Sequence, residues 1–261
     1  MFRSLNVAAT GMSAQEAQLD AISNNLANAN TTGYKKMRAD FQDLAYQTIR
    51  GAGSQTGSNA QSPTGLQLGS GVRLVATTRL EQQGTIKTTG NPYDLAIEGK
   101  GYFVVTQPDG QPAYTRAGNF RVDNQGRLTT SEGFPLNPPI TVPADSQSVN
   151  VGADGTVSVT TRTQATAQQV GQLQTANFVN PAGLSGIGHS LFTPTGASGD
   201  AQVGQPGTDG RGGLLQGAVE SSNVEVVEEM VAMIAAQRAY EINTKVVAAA
   251  DEMLRNATQM R

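Results

Sequence analysis

The 261-residue sequence contains no cysteine and no tryptophan. The first absence excludes disulfides, thiolate metal ligands and cysteine nucleophiles together. The second, with aromatics at only 5%, removes the usual platform on which a protein stacks a sugar ring. Neither sign of charge dominates, because 18 Lys and Arg face 21 Asp and Glu for a net charge of -3. There is thus no basic footprint for nucleic acid and no polybasic patch for an anionic membrane. No segment approaches the roughly 18 apolar residues of a membrane-spanning helix, so no direct membrane insertion is expected. Glu16 and Asp20 interrupt the amino-terminal segment where a secretory signal would carry its apolar middle. By sequence alone the chain reads as soluble and cytoplasmic, to be moved elsewhere only by a specialised export route.

Motifs for chemistry are equally sparse. The single histidine, His189, lies in GIGHS with no partner placed near it, so it reads as a surface-loop side chain. Gly99-Lys100 lacks the spacing of a phosphate-binding loop and no GxGxxG occurs. Asp94 and Glu98 read as solvated carboxylates rather than a glycosidase pair. The acceptor patterns at Asn30 and Asn256 have no secretory signal to support them. No catalytic residue, cofactor or metal is expected.

What the sequence does contain is helix at both ends. Leu5, Ala8, Met12, Leu19, Ile22 and Leu26 follow a spacing of three and four, with Gln15 the one polar intruder, and form a heptad seam. The Asn- and Gly-rich run beginning at Asn28 should end that helix. At the other end, Ser222 and Glu225 have the spacing of a capping box and predict a helix opening at about Ser222. No Gly or Pro follows Gly217, so this helix can run to the end of the chain, on the order of 55 Å at 1.5 Å per residue. Val227, Val231, Ile234, Tyr240, Ile242, Val246, Met253 and Leu254 supply apolar positions that drift around it, with Gln237 and Arg238 between them. A helix this long, apolar on more than one side, wants more than one neighbour.

Between the helices the pattern changes. Residues 51–72 are rich in Gly and Ser and, by composition, read as a flexible linker or long loop. From residue 72 onward, strand-like runs occur at 72–78, 95–97, 102–106, 113–116, 120–123, 127–130 and 156–161. Turn residues at 108–110, 124–126 and 154–155 punctuate them as hairpins. Further strand candidates fall at 170–179 and 191–193. The reading is α+β: two long terminal helices pairing as a coiled-coil-like core, an inserted antiparallel β domain, and an extended Gly/Ser-rich segment. The expected divisions are 1–30, 31–72, 73–219 and 220–261.

Three blocks of the sequence resemble the flagellar rod and hook family. Residues 23–36, SNNLANANTTGYKK, are similar to its rod signature, carried here by Asn28, Asn30, Thr31, Gly33, Tyr34 and Lys35. Residues 94–105, DLAIEGKGYFVV, and 114–120, YTRAGNF, resemble the first part of its β domain. Residues 237–245, QRAYEINTK, and 251–254, DEML, resemble its C-terminal helix. Within the family, MFRSL at 1–5, FQDLAYQTIR at 41–50 and the length are most like the distal-rod branch.

That resemblance implies a structural subunit, not an enzyme, that polymerises with itself into a straight tube turning inside the flagellar basal body. It implies as partners the proximal rod subunits, the hook protein, the ring proteins of peptidoglycan and outer membrane, the rod cap, and the flagellar type III export apparatus, which needs no cleavable signal. It also implies that the stretch from about 46 to 73, with Tyr46, Ile49, Pro63, Leu66 and Leu68, packs between subunits and stiffens the tube. Competing readings are a proximal rod or hook subunit, a wall-binding module, and a coiled-coil adhesin. The plain alternative for the helices is an intramolecular hairpin.

Overall fold

The computed structural model describes residues 2–57, 60, 61, 63–162 and 166–259. The chain forms two compact units. The first comprises the residues up to Ala27, Met37–Thr78 and those from Glu225 on, and the second comprises Asn28–Lys36 and Arg79–Val224.

In the first unit, helix α1 (Phe2–Ala27) packs against helix α2 (Val226–Gln259). The remainder is a ribbon. Strand β1 (Met37–Asp43) pairs with β6 (Val72–Arg79), β2 (Gln47–Arg50) with β5 (Leu66–Leu68), and β3 (Gln55–Gly57) with β4 (Ala60–Gln61). Leu44 N–H donates to the Gly71 carbonyl at 2.8 Å and carries the ladder across the gap between the first two pairs. The linker predicted from composition is therefore a paired hairpin through its described residues, with 58, 59 and 62 lying outside them. Residues 51–72 contain no charged side chain to oppose pairing, and pairing satisfies backbone groups that a loop leaves to water.

Helix α1 ends at Ala27, one residue before the predicted break. Helix α2 opens at Val226, four residues later than the capping-box spacing predicted. Ser222 and Asn223 are used elsewhere. The Ser222 hydroxyl accepts from Val224 N–H at 3.3 Å. Asn223 accepts from Lys36 N–H at 2.6 Å and donates to the carbonyls of Leu80 and Gln82 at 2.9 and 3.0 Å. The first helical hydrogen bond runs instead from Glu229 N–H to the Glu225 carbonyl, at 3.0 Å. Late in the helix Asp251 and Arg255 pair at 3.0 Å as their spacing suggests, while Glu241 meets Arg238 at 3.9 Å.

The second unit is β structure apart from one 3-10 turn at Pro181–Gly183. It contains β7 (Ile86–Thr88), β8 (Leu95–Glu98), β9 (Tyr102–Thr106), β10 (Pro112–Thr115), β11 (Arg121–Val122), β12 (Leu128–Thr129), β13 (Ser146–Val151), β14 (Thr156–Thr161) and β15 (Gln168–Gln172). It continues with β16 (Thr175–Asn177), β17 (Ser185–Gly188), β18 (Leu191–Thr193), β19 (Gln202–Gly204), β20 (Gly213–Gln216) and β21 (Ala218–Glu220). The main sheet runs β17-β18-β10-β9-β16-β19, β13-β14-β15 form a second, and β8 with β20 and β7 with β21 form separate pairs. The three predicted hairpin turns join β9 to β10, β11 to β12 and β13 to β14. The single candidate at 170–179 divides into β15 and β16, and Val179 is exposed.

Strand β9 explains why its sequence is a continuous apolar run. Phe103 and Val105 point into one core with Leu95, Ile97, Phe120, Leu128 and Leu214. Tyr102 and Val104 point into another, with Tyr114, Phe178 and Leu184. A strand covered on both faces loses the alternation that marks a half-exposed one. Ring contacts hold both cores: Phe103 meets Phe120 edge-on at 4.9 Å and Tyr114 meets Phe178 at 4.9 Å. Gly118 is a matter of space, because a Cβ there would lie 1.6 Å from the Leu95 carbonyl oxygen.

Candidate functional site

The two faces of α2 differ. Its covered side is mostly small or polar: Glu229, Ala236 and Ala250 are buried, and Ala232, Ala239 and Asn243 are half-buried, with Met233, Val247 and Leu254 the half-buried apolar exceptions. The α1 seam is the covered side of that helix, with Ala8 and Ile22 buried and Leu5, Met12, Leu19 and Leu26 partly so. A Cβ at Gly11 would sit 3.2 Å from the Asn243 amide nitrogen, so small residues set how closely the helices approach. Asn25, itself 1% exposed, is a polar anchor in this interface. Its amide donates to the Met37 carbonyl at 2.8 Å and to the Glu229 carboxylate at 3.2 Å, and its oxygen accepts from Met37 N–H at 2.8 Å.

Most of the large apolar residues of α2 lie on its other sides. Val227 is 67% exposed, Val231 63%, Ile234 55% and Ile242 60%, and Tyr240, Val246 and Met253 are also exposed. Gln237 and Arg238 sit among them, exposed. This is a multi-turn apolar surface on a 34-residue helix, and isolated soluble helices ordinarily turn such a stripe inward.

The ribbon has a similar character. Tyr46, Ile49, Leu66 and Leu68 are exposed hydrophobic residues, and Pro63 is exposed near its tip. Arg3 of α1 pins its base, donating to the Gln47 side chain at 2.7 Å and to the carbonyls of Gly69, at 3.0 Å, and Leu68. A two-stranded ribbon alone is marginally stable in water.

Within the second unit, Lys35 and Arg116, drawn from two of the sequence blocks, meet a residue that motif reading overlooked, Glu220. It is 1% exposed. Its carboxylate accepts from Lys35 Nζ at 2.6 Å, from Gly84 N–H at 2.9 Å and from Arg116 Nε at 2.5 Å. Arg116 also donates to the carbonyls of Ile97, Gly99 and Gly101, and Lys35 to that of Gln82 at 2.7 Å. Burial drives the Lys35 pKa below its ordinary value, against the opposing pull of the Glu220 hydrogen bond and charge. Beside it Arg79 pairs with Glu81 at 2.6 Å, and the Glu81 carboxylate accepts from the Tyr102 hydroxyl at 2.6 Å. Burial, with the charge of Glu81, pushes that phenol up.

The remaining motif residues shape the approach to this knot. Asn28 and Thr31 bond each other through side chains and backbone at 3.1 Å, and Tyr34 N–H reaches the Thr31 carbonyl at 3.3 Å. Asn30 is exposed and Tyr34 half-buried. Gly33 adopts φ of +70° and donates its N–H to the Glu220 carbonyl at 2.8 Å. A Cβ on it would come within 2.6 Å of the Arg116–Ala117 backbone. Gly33→Ala is therefore expected to destabilise the unit by about 2–4 kcal/mol, from left-handed strain plus the clash; a urea-unfolding midpoint equal to wild type would contradict this.

Asp94 corrects its sequence reading. It is 9% exposed rather than solvated, and its carboxylate accepts from Thr89 at 2.6 Å and Asn91 at 2.9 Å while Glu98 is exposed. His189 occupies the turn between β17 and β18 and lies 2.6 Å from Glu132. Among the described residues no group of three or more His, Asp or Glu could hold a metal ion, and no helix is long and apolar enough to cross a membrane.

Three family models match the chain: "Flagella basal body rod protein" over residues 5–35, "Flagellar hook protein FlgE/F/G D1 domain" over 96–159 and "Flagellar basal body rod FlgEFG protein C-terminal" over 215–260. The "Flagellar basal-body rod protein FlgG" of Caulobacter vibrioides is 48% identical over 260 residues, 99% of each chain. Those of Buchnera aphidicola, from Acyrthosiphon pisum, and Borreliella burgdorferi are 47% and 45% identical, over 100% of this chain and 100% and 99% of theirs.

Proposed function

The chain belongs to the flagellar basal-body rod protein family, and from that premise we propose that it is a structural subunit of the distal rod, polymerising into a rigid, straight helical tube that carries torque from motor to hook. The observation that carries this reading is the exposed apolar surface of α2, which a lone subunit leaves in water. Each such side chain contributes roughly 1.5–3 kcal/mol once a neighbour covers it. Contacts between unlike patches on successive copies build open helices when the rotation does not close. In the tube, α1 and α2 pair in coiled-coil fashion as a core, and the β unit forms the wall.

Its partners on this reading are other copies of itself, proximal rod subunits, the hook protein, the peptidoglycan and outer-membrane ring proteins, the rod cap and the flagellar type III export apparatus. It resides in the basal body, spanning periplasm to outer membrane. Torque passes through packing, and no catalytic chemistry is assigned. The ribbon is the stiffening element: Tyr46, Ile49, Leu66 and Leu68 gain their cover from adjacent subunits.

The test is to concentrate purified protein while following circular dichroism and electron micrographs. Straight, rigid tubes with a gain in helical signal are expected. A monomer that stays unassembled with both helices already protected would leave the intramolecular hairpin as the better account. Removing residues 51–71 is expected to abolish assembly or yield curved tubes. Straight tubes of wild-type stiffness would favour a proximal rod or hook subunit.

A further inference from the structure

We infer that residues 213–223 are a closing strap, without which the β unit cannot shut its core, so that a chain emerging amino terminus first stays open until this late segment docks. The first ground is strand pairing. Strand β8 carries Leu95, Ala96 and Ile97, each 1% exposed, and its strand partner is β20, in register from Gly213 opposite Glu98 to Gln216 opposite Leu95. Strand β7 likewise pairs with β21. Before β20 arrives, burying β8 would strand its backbone donors and acceptors away from water, which native interiors do not tolerate. Leu214 is itself part of the core that holds Leu95, Phe103 and Phe120.

The second ground is electrostatic. Arg116 and Lys35 are 5% and 3% exposed and share the carboxylate of Glu220, which lies 104 and 185 residues away along the chain. Until Glu220 docks, two cations would have to enter the interior without their counter-charge. Other strap residues bridge distant elements. Gln216 donates to the carbonyls of Val149 and Pro92 at 2.9 and 2.8 Å and accepts from Val151 N–H at 3.0 Å. Gly217 N–H reaches the Asp94 carbonyl at 2.8 Å, and its own carbonyl accepts from Thr89 and Gly90. Asn223 holds Lys36, Leu80 and Gln82. One short segment thus closes several long loops together, and non-local closure of this kind is slow.

The device delays compaction for about four-fifths of the chain's emergence. Its use in keeping an exported chain threadable rests on the function proposed above; the closure itself follows from topology alone. The experiment is pulsed hydrogen exchange with mass spectrometry during refolding of the full-length chain from denaturant. Amides of 102–105 and 113–115 are expected to gain protection in the same kinetic phase as those of 213–220. Protection of 102–115 at least ten-fold faster than of 213–220 would overturn the inference. As a second measurement, Glu220→Gln should slow the common phase at least five-fold; a variant that folds at the wild-type rate and only unfolds faster would also overturn it. Neither readout depends on whether the protein forms tubes.

Discussion

Replacing Glu220 with glutamine is expected to lower the stability of the β unit by about 3–5 kcal/mol, the range for removing one partner of a buried ion pair. The cost comes from what is left behind. Arg116 and Lys35 remain nearly inaccessible to water, and the carboxylate that neutralised both is gone. Arg116 keeps its carbonyl acceptors, but dipoles do not cancel a net charge in a poorly polarisable interior. Lys35→Met should be milder, because Glu220 still holds Arg116 and a thioether chain fills the tunnel of the lost ammonium.

The two variants also differ in their response to pH. Burial holds the folded-state pKa of Lys35 below its ordinary 10.5, so the unfolded chain binds more protons in the window between the two values. Stability from this group is therefore fully present above 10.5 and is lost as pH falls through the folded pKa. Lys35→Met should flatten that alkaline rise. Urea titrations of both variants, with β-unit amides followed by hydrogen exchange, measure these differences. A Glu220→Gln midpoint within error of wild type would remove the knot from its structural role.

Ile234→Asp is expected to abolish polymerisation while leaving the monomer folded. Ile234 is 55% exposed on the α2 surface facing away from α1, so the substitution removes little internal packing and should shift monomer stability by only about 0.5 kcal/mol, mostly through helix propensity. In a tube the same position would be covered. Losing an apolar side chain there forfeits roughly 1.5–3 kcal/mol, and an unpaired carboxylate adds its desolvation cost. Two to four kcal/mol per contact raises the concentration needed for assembly by roughly 30- to 1000-fold. Sedimentation and electron microscopy at concentrations where wild type forms tubes test this, with urea unfolding as the control. Tubes at wild-type yield would sink the assembly role of this surface. Leu19→Asp should also block assembly and leave the β unit folded, but it should loosen α1 from α2 as well, since Leu19 is half-buried in the monomer.

Local chemistry made much of this molecule legible. Helix α1 follows from a seam with a three-four spacing and a terminator rich in Asn and Gly, signals that lie within one turn of the positions they govern. The hairpins β9–β10, β11–β12 and β13–β14 follow from turn residues flanked by alternating or apolar runs. What could not be read was anything whose cause lies far along the chain. Ser222 and Glu225 have capping-box spacing, yet Asn223 is committed to the carbonyls of a connecting segment about 140 residues earlier, and the helix begins beyond it. Residues 51–72 have a linker's composition, but pairing with a complementary strand outweighs composition once the partner is placed.

The sequence by itself determined the elements: two terminal helices, their periodicity, the turns, and an α+β class, because each depends on residues a few positions apart. Only the tertiary structure decided which side of α2 stays bare, because helical periodicity describes stripes and not what covers them. It alone singled out Glu220 as well. In the sequence that residue is one carboxylate among 21 acidic side chains. It becomes the centre of a buried charge cluster only because folding brings Lys35 and Arg116 to it from opposite parts of the chain and excludes the water that would otherwise screen all three.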